Sequence, residues 1–486
     1  MSCPLPEDCL NDIFGFLKED KFSLRSSLLV NHLWCGVAVR ILWRNIWKER
    51  TQIHESLSIL GTLISCLPNE SKELLISNNI IISNPTSKPP LINYISYIKV
   101  LSIHAFDHII EKVLKYQRFN GDLLILKYHK FLVSQELLKA FMCQIPSLKV
   151  LYNYATLAPN IQFTLFPGAK DCLTNLTVFS CYSDICPEFF YQLASICQRI
   201  RSLTINFRNN ISNGLKELIS FQKNLKYLKL SAGKCGEKGW TDIIPALTKH
   251  RDTLTSLQID AFRVEMPLSI VTVFTNLQEL IISCFRTSQV YSKVSYELQR
   301  ANYPNLRILR IPFQCPSSET LTKLLEINGM NLYELDLGGI DNSLKLSIAR
   351  LCPNLKKLNM MFENDEMDIF KSILGSCQHL EGIKVWCGCP YLDEREMFEA
   401  VVKYSPKRFH ELRIYSRTFP EDLESFFSSW GNRTPRLPLI MISNIGSLAE
   451  SEEKIDICMK TTITKYKKLG IIKKFETEEF EYEDYI

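Results

Sequence analysis

The sequence predicts an α/β fold in which short parallel strands alternate with helices, preceded by a small helical module at the N-terminus. Segments of the form L-x-x-L-x-L recur between residues 98 and 437 at intervals of 23 to 29 residues, and residues 5–42 hold three short stretches of helical periodicity. One strand and one helix cannot bury their apolar sides alone. Stacked copies are therefore expected to form a solenoid with a parallel sheet on its concave face and helices on its convex face.

The repeats differ in how closely they match the pattern. The closest copies begin at Leu225, Leu254, Leu277, Leu306, Leu332 and Leu355. Looser copies begin at Ile98, Leu123, Leu148, Leu176, Ile200, Leu380, Phe409 and Leu437. An asparagine often stands just before the first leucine, as Asn305 and Asn331 do. The region resembles the leucine-rich-repeat family of the ribonuclease-inhibitor-like type.

The N-terminal stretch has the spacing of three short helices. The first carries one apolar stripe, formed by Leu10, Ile13, Phe14 and Leu17. Ser23 is predicted to cap the second helix and Asn31 the third. A helical unit of about forty residues buries little surface, so an apolar partner is expected.

Residues 4–47 resemble the F-box family as it occurs in fungi. The resemblance rests on Leu5, Pro6, Leu10, Ile13, Phe14, Leu17, Leu28, Leu29, Val30, Asn31, Trp34, Cys35, Leu42 and Trp43. Asp8 stands where the family commonly has glutamate. The resemblance implies binding to a Skp-type adaptor and, through it, to a cullin–RING ubiquitin ligase. The residues it assigns to the adaptor contact are Leu5, Pro6, Ile13, Phe14, Leu17, Val30 and Trp34. The alternative is an unrelated helical cap of the repeats.

Four regions follow from these patterns. The resemblance implies an F-box in residues 1–47, and residues 48–92 are predicted to form a helical connector with a Pro- and Ser-rich loop at 83–90. Residues 93–446 are the repeat solenoid. Residues 447–486 are a mixed-charge, helix-like cap with an acidic tail.

No sequence motif predicts catalysis. A phosphate-binding glycine loop, a nucleophile elbow and a zinc-protease helix are all missing from the sequence, so neither an enzyme nor a cofactor is predicted. The densest group of possible metal ligands is Cys377, His379, Cys387 and Cys389. Because Leu380, Ile383 and Val385 among them fit a repeat strand, Cys377 just before that strand is predicted to pack in the core, and no metal is expected.

Composition also narrows the class of partner and the compartment. The net charge is only +5 from 57 basic and 52 acidic residues, so no general attraction to nucleic acid is predicted. No window approaches the roughly 18 apolar residues of a membrane helix. The N-terminus lacks a signal-peptide pattern and the 17 cysteines are scattered, which predicts an intracellular protein of the cytoplasm, the nucleus or both.

The outward strand positions are the predicted substrate surface. They carry mixed charges and aromatic rings, and the residues of the type that anchors protein interfaces are Arg310, Trp386, Arg413 and Tyr415. The alternative for each is an ordinary solvated sheet position. The predicted function is that of the non-catalytic substrate-recognition subunit of a Skp–cullin–F-box ubiquitin ligase, which binds an unidentified substrate protein. A non-degradative repeat scaffold is the alternative.

Overall fold

The structure is a computed structural model that describes most of the chain. The described residues are 5–47, 52–82, 90–117, 123–154, 161–208, 210–232, 242–262, 268–285, 295–416, 423–434, 437–445 and 452–479. By its internal contacts the chain divides into two compact units, Met1–Tyr227 and Leu228–Ile486. Most of the predicted loop at 83–90 and of the acidic tail lies outside the described residues.

Helices and strands alternate along the chain after an all-helical start. The strands are β1 (Val100–Ser102), β2 (Val150–Asn153), β3 (Val178–Tyr182), β4 (Ser202–Phe207), β5 (Tyr227–Ala232), β6 (Ser256–Phe262), β7 (Glu279–Phe285), β8 (Ile308–Ile311), β9 (Glu334–Leu337), β10 (Lys357–Met360), β11 (Gly382–Trp386), β12 (Glu411–Ser416), β13 (Leu439–Ile445) and β14 (Ile472–Glu479). The α-helices are α1 (Glu7–Phe16), α2 (Lys21–Ser27), α3 (His32–Leu42), α4 (Ile53–Ser65), α5 (Asn69–Ser77), α6 (Ile103–Tyr116), α7 (Leu123–Gln144), α8 (Ala169–Leu173), α9 (Pro187–Ile196), α10 (Asn213–Phe221), α11 (Ile244–Thr248), α12 (Ser295–Arg300), α13 (Ser318–Asn328), α14 (Asn342–Leu351), α15 (Met367–Ser376), α16 (Glu394–Tyr404), α17 (Leu423–Gly431) and α18 (Glu452–Lys468).

The described strands pair in parallel, and their order in the sheet is their order in the chain. In the first unit Val100 pairs with Val150 and Val150 with Val178. In the second unit the same one-to-one register runs from β6 to β13. Parallel neighbours need a crossover between them, and the intervening helices supply it. The predicted α/β class is confirmed, and the architecture is leucine-rich-repeat-like.

Most predicted repeat starts lie two residues before a strand, but the one at Leu123 is wrong. Leu123 begins α7, and β1 pairs directly with β2 without a strand between them. Short apolar runs do not by themselves distinguish a strand from a helix. The run from 123 to 144 contains neither glycine nor proline, so nothing stops the helix before Pro146.

The C-terminal region contains a strand that the sequence pattern did not predict. The helix-like stretch is α18, but after Gly470 the chain forms β14, which pairs in parallel with β13. Lys473, Lys474 and Glu476 hide the strand in the sequence because charged side chains are typical of an exposed edge. Part of the predicted acidic tail is therefore the last described strand of the sheet.

Buried leucines and an asparagine ladder account for the repeat pattern. The repeated apolar positions, such as Leu335 and Leu337, are buried in the core. The asparagines bind the neighbouring repeat: the Asn331 side-chain amide donates to the Pro304 carbonyl at 3.0 Å. The Asn354 amide donates to the Met330 carbonyl at 2.8 Å. Each asparagine thus satisfies a backbone acceptor where one turn passes the next.

A helix that crosses a membrane must be both long and apolar. Among the described residues, none of the helices combines the length and the apolar character that a bilayer span requires.

Candidate protein-interaction surfaces

The N-terminal helices α1 to α3 form a small module with its own core. Leu10, Phe14, Leu24, Val37 and Ala38 are buried together at its centre. The Phe14 and Trp34 rings meet edge to face, with centroids 5.2 Å apart. Three residues of the apolar stripe of α1, Leu10, Phe14 and Leu17, therefore hold the three helices together.

Two caps fix the turns between these helices. The Asn31 side chain accepts from the Trp34 backbone N–H at 2.9 Å, which confirms the predicted cap of α3. The predicted cap of α2 was wrong by one turn, because Asp20 precedes the helix and accepts from the Ser23 N–H at 3.0 Å. Hydrogen bonds from the Ser23 hydroxyl and N–H lower the pKa of Asp20. Ser23, which was predicted as the cap, is thus the donor to the actual cap, Asp20.

The predicted adaptor-contact residues fall into three groups by exposure. The exposed ones are Leu5, Pro6, Ile13 and Val30. Leu17 and Trp34 are half-buried against the core of the module. Phe14 is only 2% exposed, so it has no surface to offer a partner while the module stays folded. The assignment of Phe14 to the contact is corrected accordingly: it is a core residue.

Four further apolar residues of the module are exposed and were missed. Phe16 is 90% exposed, Leu29 is 89% exposed and Phe22 is 80% exposed, and Leu33 is also exposed. On α1, Cys9, Ile13 and Phe16 lie at i, i+4 and i+7 and share one face, next to the buried stripe. The signal was present in the sequence, since Phe16 lies off the buried stripe and Leu29 directly follows Leu28. We call Leu5, Ile13, Phe16, Phe22, Leu29, Val30 and Leu33 the exposed apolar set.

The end of the module is joined to the first strand of the sheet. The Arg44 carbonyl accepts from the backbone N–H groups of Lys99 and Val100 at 3.0 and 3.2 Å. The Trp47 indole N–H donates to the Val100 carbonyl at 2.6 Å. The Trp47 ring also meets the Phe106 ring edge to face, at a centroid distance of 5.9 Å. Residues 44–47 therefore occupy the free edge of β1 within the first unit.

In the second unit, half-exposed strand side chains alternate with buried ones, and we call the half-exposed side the outer face. Arg310 on β8 shows how its charges are arranged. Its guanidinium donates to Glu334 on β9 at 2.7 Å and lies 3.9 Å from Glu279 on β7. Arg310, predicted to contact substrate, is thus already paired on both sides.

A second polar contact follows on the same face. Asp336 pairs in register with Arg310 on one side and Asn359 on the other. The Asn359 side-chain amide donates to Asp336 at 2.6 Å. Burial raises the pKa of Asp336 to about 6, although the charge of Lys384 and the bond from Asn359 act against it. A fraction of Asp336 is therefore protonated just below neutral pH.

Glu411 on β12 forms ion pairs with two cations. Arg413 lies on the same strand, and Lys357 lies two strands away, beyond a glycine on β11. Glu411 accepts from Arg413 at 2.8 Å and from Lys357 on β10 at 2.8 Å. Lys357 reaches over β11 because the position between them is Gly382, where an added Cβ would lie 3.0 Å from the Glu411 Cβ. Burial alone would raise the pKa of Glu411, but the bonds from Lys357 and Arg413 outweigh it and lower the pKa. Arg413, the second predicted anchor, is therefore also paired within the chain.

The two predicted aromatic anchors lie together but are covered. Trp386 and Tyr415 pair in register, and their rings stack with centroids 5.1 Å apart. They are only 5% and 7% exposed. The Lys384 ammonium lies 4.3 Å from the Tyr415 ring centroid. The expectation that these rings project into solvent is corrected: they pack on each other, and the cation covers them.

The cysteines considered as metal ligands do not form a site. Within the described ranges, no group of three or more histidine, cysteine and acidic side chains is arranged to hold a metal ion. Cys377 and Cys387 are buried, and burial raises the pKa of the Cys377 thiol to about 11. A buried, protonated thiol is a packing group and a poor metal ligand.

Comparison with solved structures shows a likeness in fold. No protein-family model and no curated protein sequence matches the chain. A chain in the crystal structure of the Rad7 and Elc1 complex in yeast is similar to it, with a TM-score of 0.40 and 15% sequence identity. The match covers 59% of this chain and 73% of that one. A likeness of this extent carries no argument about residues or partners.

Proposed function

We propose that the chain is the substrate-receptor subunit of a Skp–cullin–F-box ubiquitin ligase. In this proposal the N-terminal module docks on a Skp-type adaptor, and the repeats hold a substrate protein. The chain makes and breaks no bond itself. By holding substrate lysines close to a charged conjugating enzyme, it raises their effective concentration.

The exposed apolar set is the observation that carries the proposal. A terminal cap of a repeat array needs a polar outer side to remain soluble. This module instead presents Ile13 and Phe16 on one helix face, and Leu29, Val30 and Leu33 around the start of α3. Exposed apolar side chains of this kind are stabilised by a partner that removes them from water. The F-box resemblance of residues 4–47 supports a Skp-type adaptor as that partner.

A non-degradative scaffold is the second candidate, and one observation favours it. Residues 44–47 continue the hydrogen bonding of β1 and bury Trp47 against the first helices of the repeats. That is what a cap does, and a cap needs no adaptor. The exposed apolar set then has no explanation within the chain, so the receptor proposal accounts for more of the module.

The test is binding of the purified full chain to a Skp-type adaptor from the same organism. The variant Ile13→Asp with Val30→Asp charges two exposed positions and leaves the core of the module intact. We expect a stoichiometric complex with the native chain and at least about hundredfold weaker binding by the variant, since two interface anchors are lost.

A matched control introduces the same change elsewhere. Ile327→Asp with Leu346→Asp charges two exposed apolar residues on α13 and α14, and it should bind the adaptor like the native chain. Thermal unfolding checks that all three chains fold. A folded native chain that does not bind the adaptor would reject the receptor proposal and favour the scaffold.

A further inference from the structure

A row of basic residues lies along one edge of the sheet in the first unit. The position immediately before each strand from β1 to β5 is occupied by Lys99, Lys149, Thr177, Arg201 and Lys226. Arg44 continues this series, because its carbonyl accepts from the Lys99 N–H. We call Arg44, Lys99, Lys149, Arg201 and Lys226 the basic row.

Backbone hydrogen bonds hold the basic row in register. The Lys149 N–H donates to the Lys99 carbonyl at 2.9 Å, and the Lys226 N–H donates to the Arg201 carbonyl at 2.8 Å. Thr177 completes the ladder between Lys149 and Arg201. Neighbouring strands lie about 4.8 Å apart, so the six positions span about 24 Å. An extended peptide covers that length with about seven residues.

Four residues of the basic row, Arg44, Lys99, Lys149 and Arg201, have no acidic neighbour on the described strands β1–β4. The half-exposed positions of β1–β4 beside it carry only valine, serine, threonine, tyrosine and asparagine. Within the described residues, Arg44, Lys99, Lys149 and Arg201 form no ion pair. Burial and the like charges of Lys149 and Arg44 lower the pKa of Lys99. The positive charges of Arg44, Lys99 and Lys149 are thus close enough to repel one another.

An aliphatic row runs parallel to the basic one. Val100, Val150 and Val178 are the first residues of three neighbouring strands, they pair in register, and each is half-buried. A surface that combines cations with aliphatic side chains matches a peptide that carries both acidic and apolar residues. Single-stranded nucleic acid is bound on aromatic platforms instead, and valines provide none.

We infer that the basic row and its three valines bind an extended acidic segment of another protein, with carboxylates on the row and aliphatic side chains on the valines. Successive side chains of an extended segment point to opposite sides, and every second one is about 6.6 Å from the last. That spacing allows alternate acidic residues to reach successive basic side chains. This inference does not depend on docking of an adaptor on the helical module.

The test uses the full chain and a fluorescein-labelled peptide in which glutamate and valine alternate over about twelve residues. Fluorescence anisotropy measures Kd for the native chain and for Lys99→Gln with Lys149→Gln. We expect Kd to rise at least about tenfold in the variant, and native binding to weaken as salt is added. Arg201→Gln with Lys226→Gln is a second variant at the other end of the row, and it should act in the same direction.

The matched control lies at the same repeat position in the second unit. Arg307→Gln with Lys356→Gln removes the same charge, but Lys356 is already paired with Glu381 at 3.0 Å. Its Kd should change less than about twofold. Equal weakening by test and control variants, or no change in the first two, would overturn the inference. So would a labelled oligothymidylate that binds more tightly than the peptide and loses affinity in the same variants, since the partner would then be nucleic acid. No adaptor is present, so failure here is distinct from failure of the receptor proposal.

Discussion

The sheets of the two units share one strand arrangement but treat charge differently. In the second unit, Arg310, Glu334, Lys357 and Glu411 lie on the outer face, and each is held by an opposite charge. In the first unit, the half-exposed positions of the described strands β1–β4 carry no acid, and Lys99, Lys149 and Arg201 before these strands have no acidic neighbour on them. The same backbone therefore supports one surface that is neutralised from within and one that is left positive.

The difference bears on what each face can bind. A partner of the second unit must displace ion pairs that already exist, which offsets much of what new pairs contribute. An acidic partner of the first unit displaces only water and counterions, and it relieves repulsion among the cations. A sheet surface whose charges are not paired within the chain is therefore the better candidate for binding a charged ligand.

The largest expected effect comes from the most deeply buried ion pair of the second unit. The Lys345 ammonium donates to both Glu366 carboxylate oxygens, at 2.8 and 2.6 Å, and both side chains are buried. Lys345→Met leaves the buried carboxylate without its cation, although the Glu363 N–H still donates to it, and should lower the free energy of unfolding by about 3–5 kcal/mol. Urea denaturation followed by circular dichroism measures it.

A double variant separates pairing from packing at this site. Lys345→Met with Glu366→Gln removes both charges, keeps an acceptor for the Glu363 N–H, and should recover most of the lost stability. A loss below about 1 kcal/mol in the single variant would contradict the view that the second unit depends on its internal pairs.

A smaller effect is expected in the pH dependence of the second unit. Because the pKa of Asp336 is raised to about 6, the folded state holds its proton more tightly than the unfolded state does. Stability should therefore fall as pH rises from about 4 to 6, by at most about 3 kcal/mol from this group. Asp336→Asn should remove this dependence, measured as the urea midpoint against pH.

Asp341 provides a control of opposite sign. It caps α14, and hydrogen bonds from Ser318 and from the Leu344 N–H lower its pKa. Its contribution is present above the unfolded pKa and is lost as pH falls through the folded one. Asp341→Asn should thus lower stability near neutral pH and leave the fall between pH 4 and 6 in place. An Asp336→Asn chain with the native pH profile would show that this carboxyl is not the source.

The smallest effect is expected where a cation has no acidic neighbour. Lys99→Met in the first unit removes a charge whose cationic neighbours Lys149 and Arg44 repel it, so stability should change by less than about 0.5 kcal/mol or rise slightly. Lys99→Met and Lys345→Met are the same substitution, so the two variants compare a lysine that forms no ion pair among the described residues of the first unit with a paired lysine of the second. A loss above about 1 kcal/mol in urea denaturation would reveal a partner for Lys99 and weaken the contrast.

The repeat fold could be predicted because each buried leucine appears at a fixed offset from the next strand. The exceptions have physical causes. Leu123 begins an apolar run that also suits a helix, and no breaking residue interrupts it. The strand that begins at Ile472 is an edge with charged side chains, so its alternation is weak in the sequence. The local sequence pattern thus predicted the class of fold. The helix at Leu123 and the strand at Ile472 could not be predicted in the same way, because they depend on contacts with residues distant in sequence.

The candidate surfaces could be predicted only in part. The pattern marked Ile13 and Phe14 together, but adjacent helical residues point in different directions, so one is exposed and the other buried. Trp386 and Tyr415 were predicted as solvent-facing because strand alternation does not show what covers a face. The basic row was visible as a lysine or arginine after the first apolar residue of several repeats, at Lys99, Lys149 and Arg201. The sequence alone does not show that these residues are neighbours, which follows from the backbone hydrogen bonds between them.

Residues 44–47, at the end of the helical module, bond directly to β1. The module is therefore attached to the first strands at this point and is not tethered by a flexible linker there. Flexible linkers let tethered partners sample many separations, and the effective concentration of each for the other falls as the linker lengthens. Here the Arg44 carbonyl and the Trp47 ring fix the chain at the point where the module ends. A protein on the module and a segment on β1–β4 would therefore be presented at one distance and one angle. Only target side chains within that fixed reach could be acted upon, so selection among sites would be set by geometry as well as by affinity.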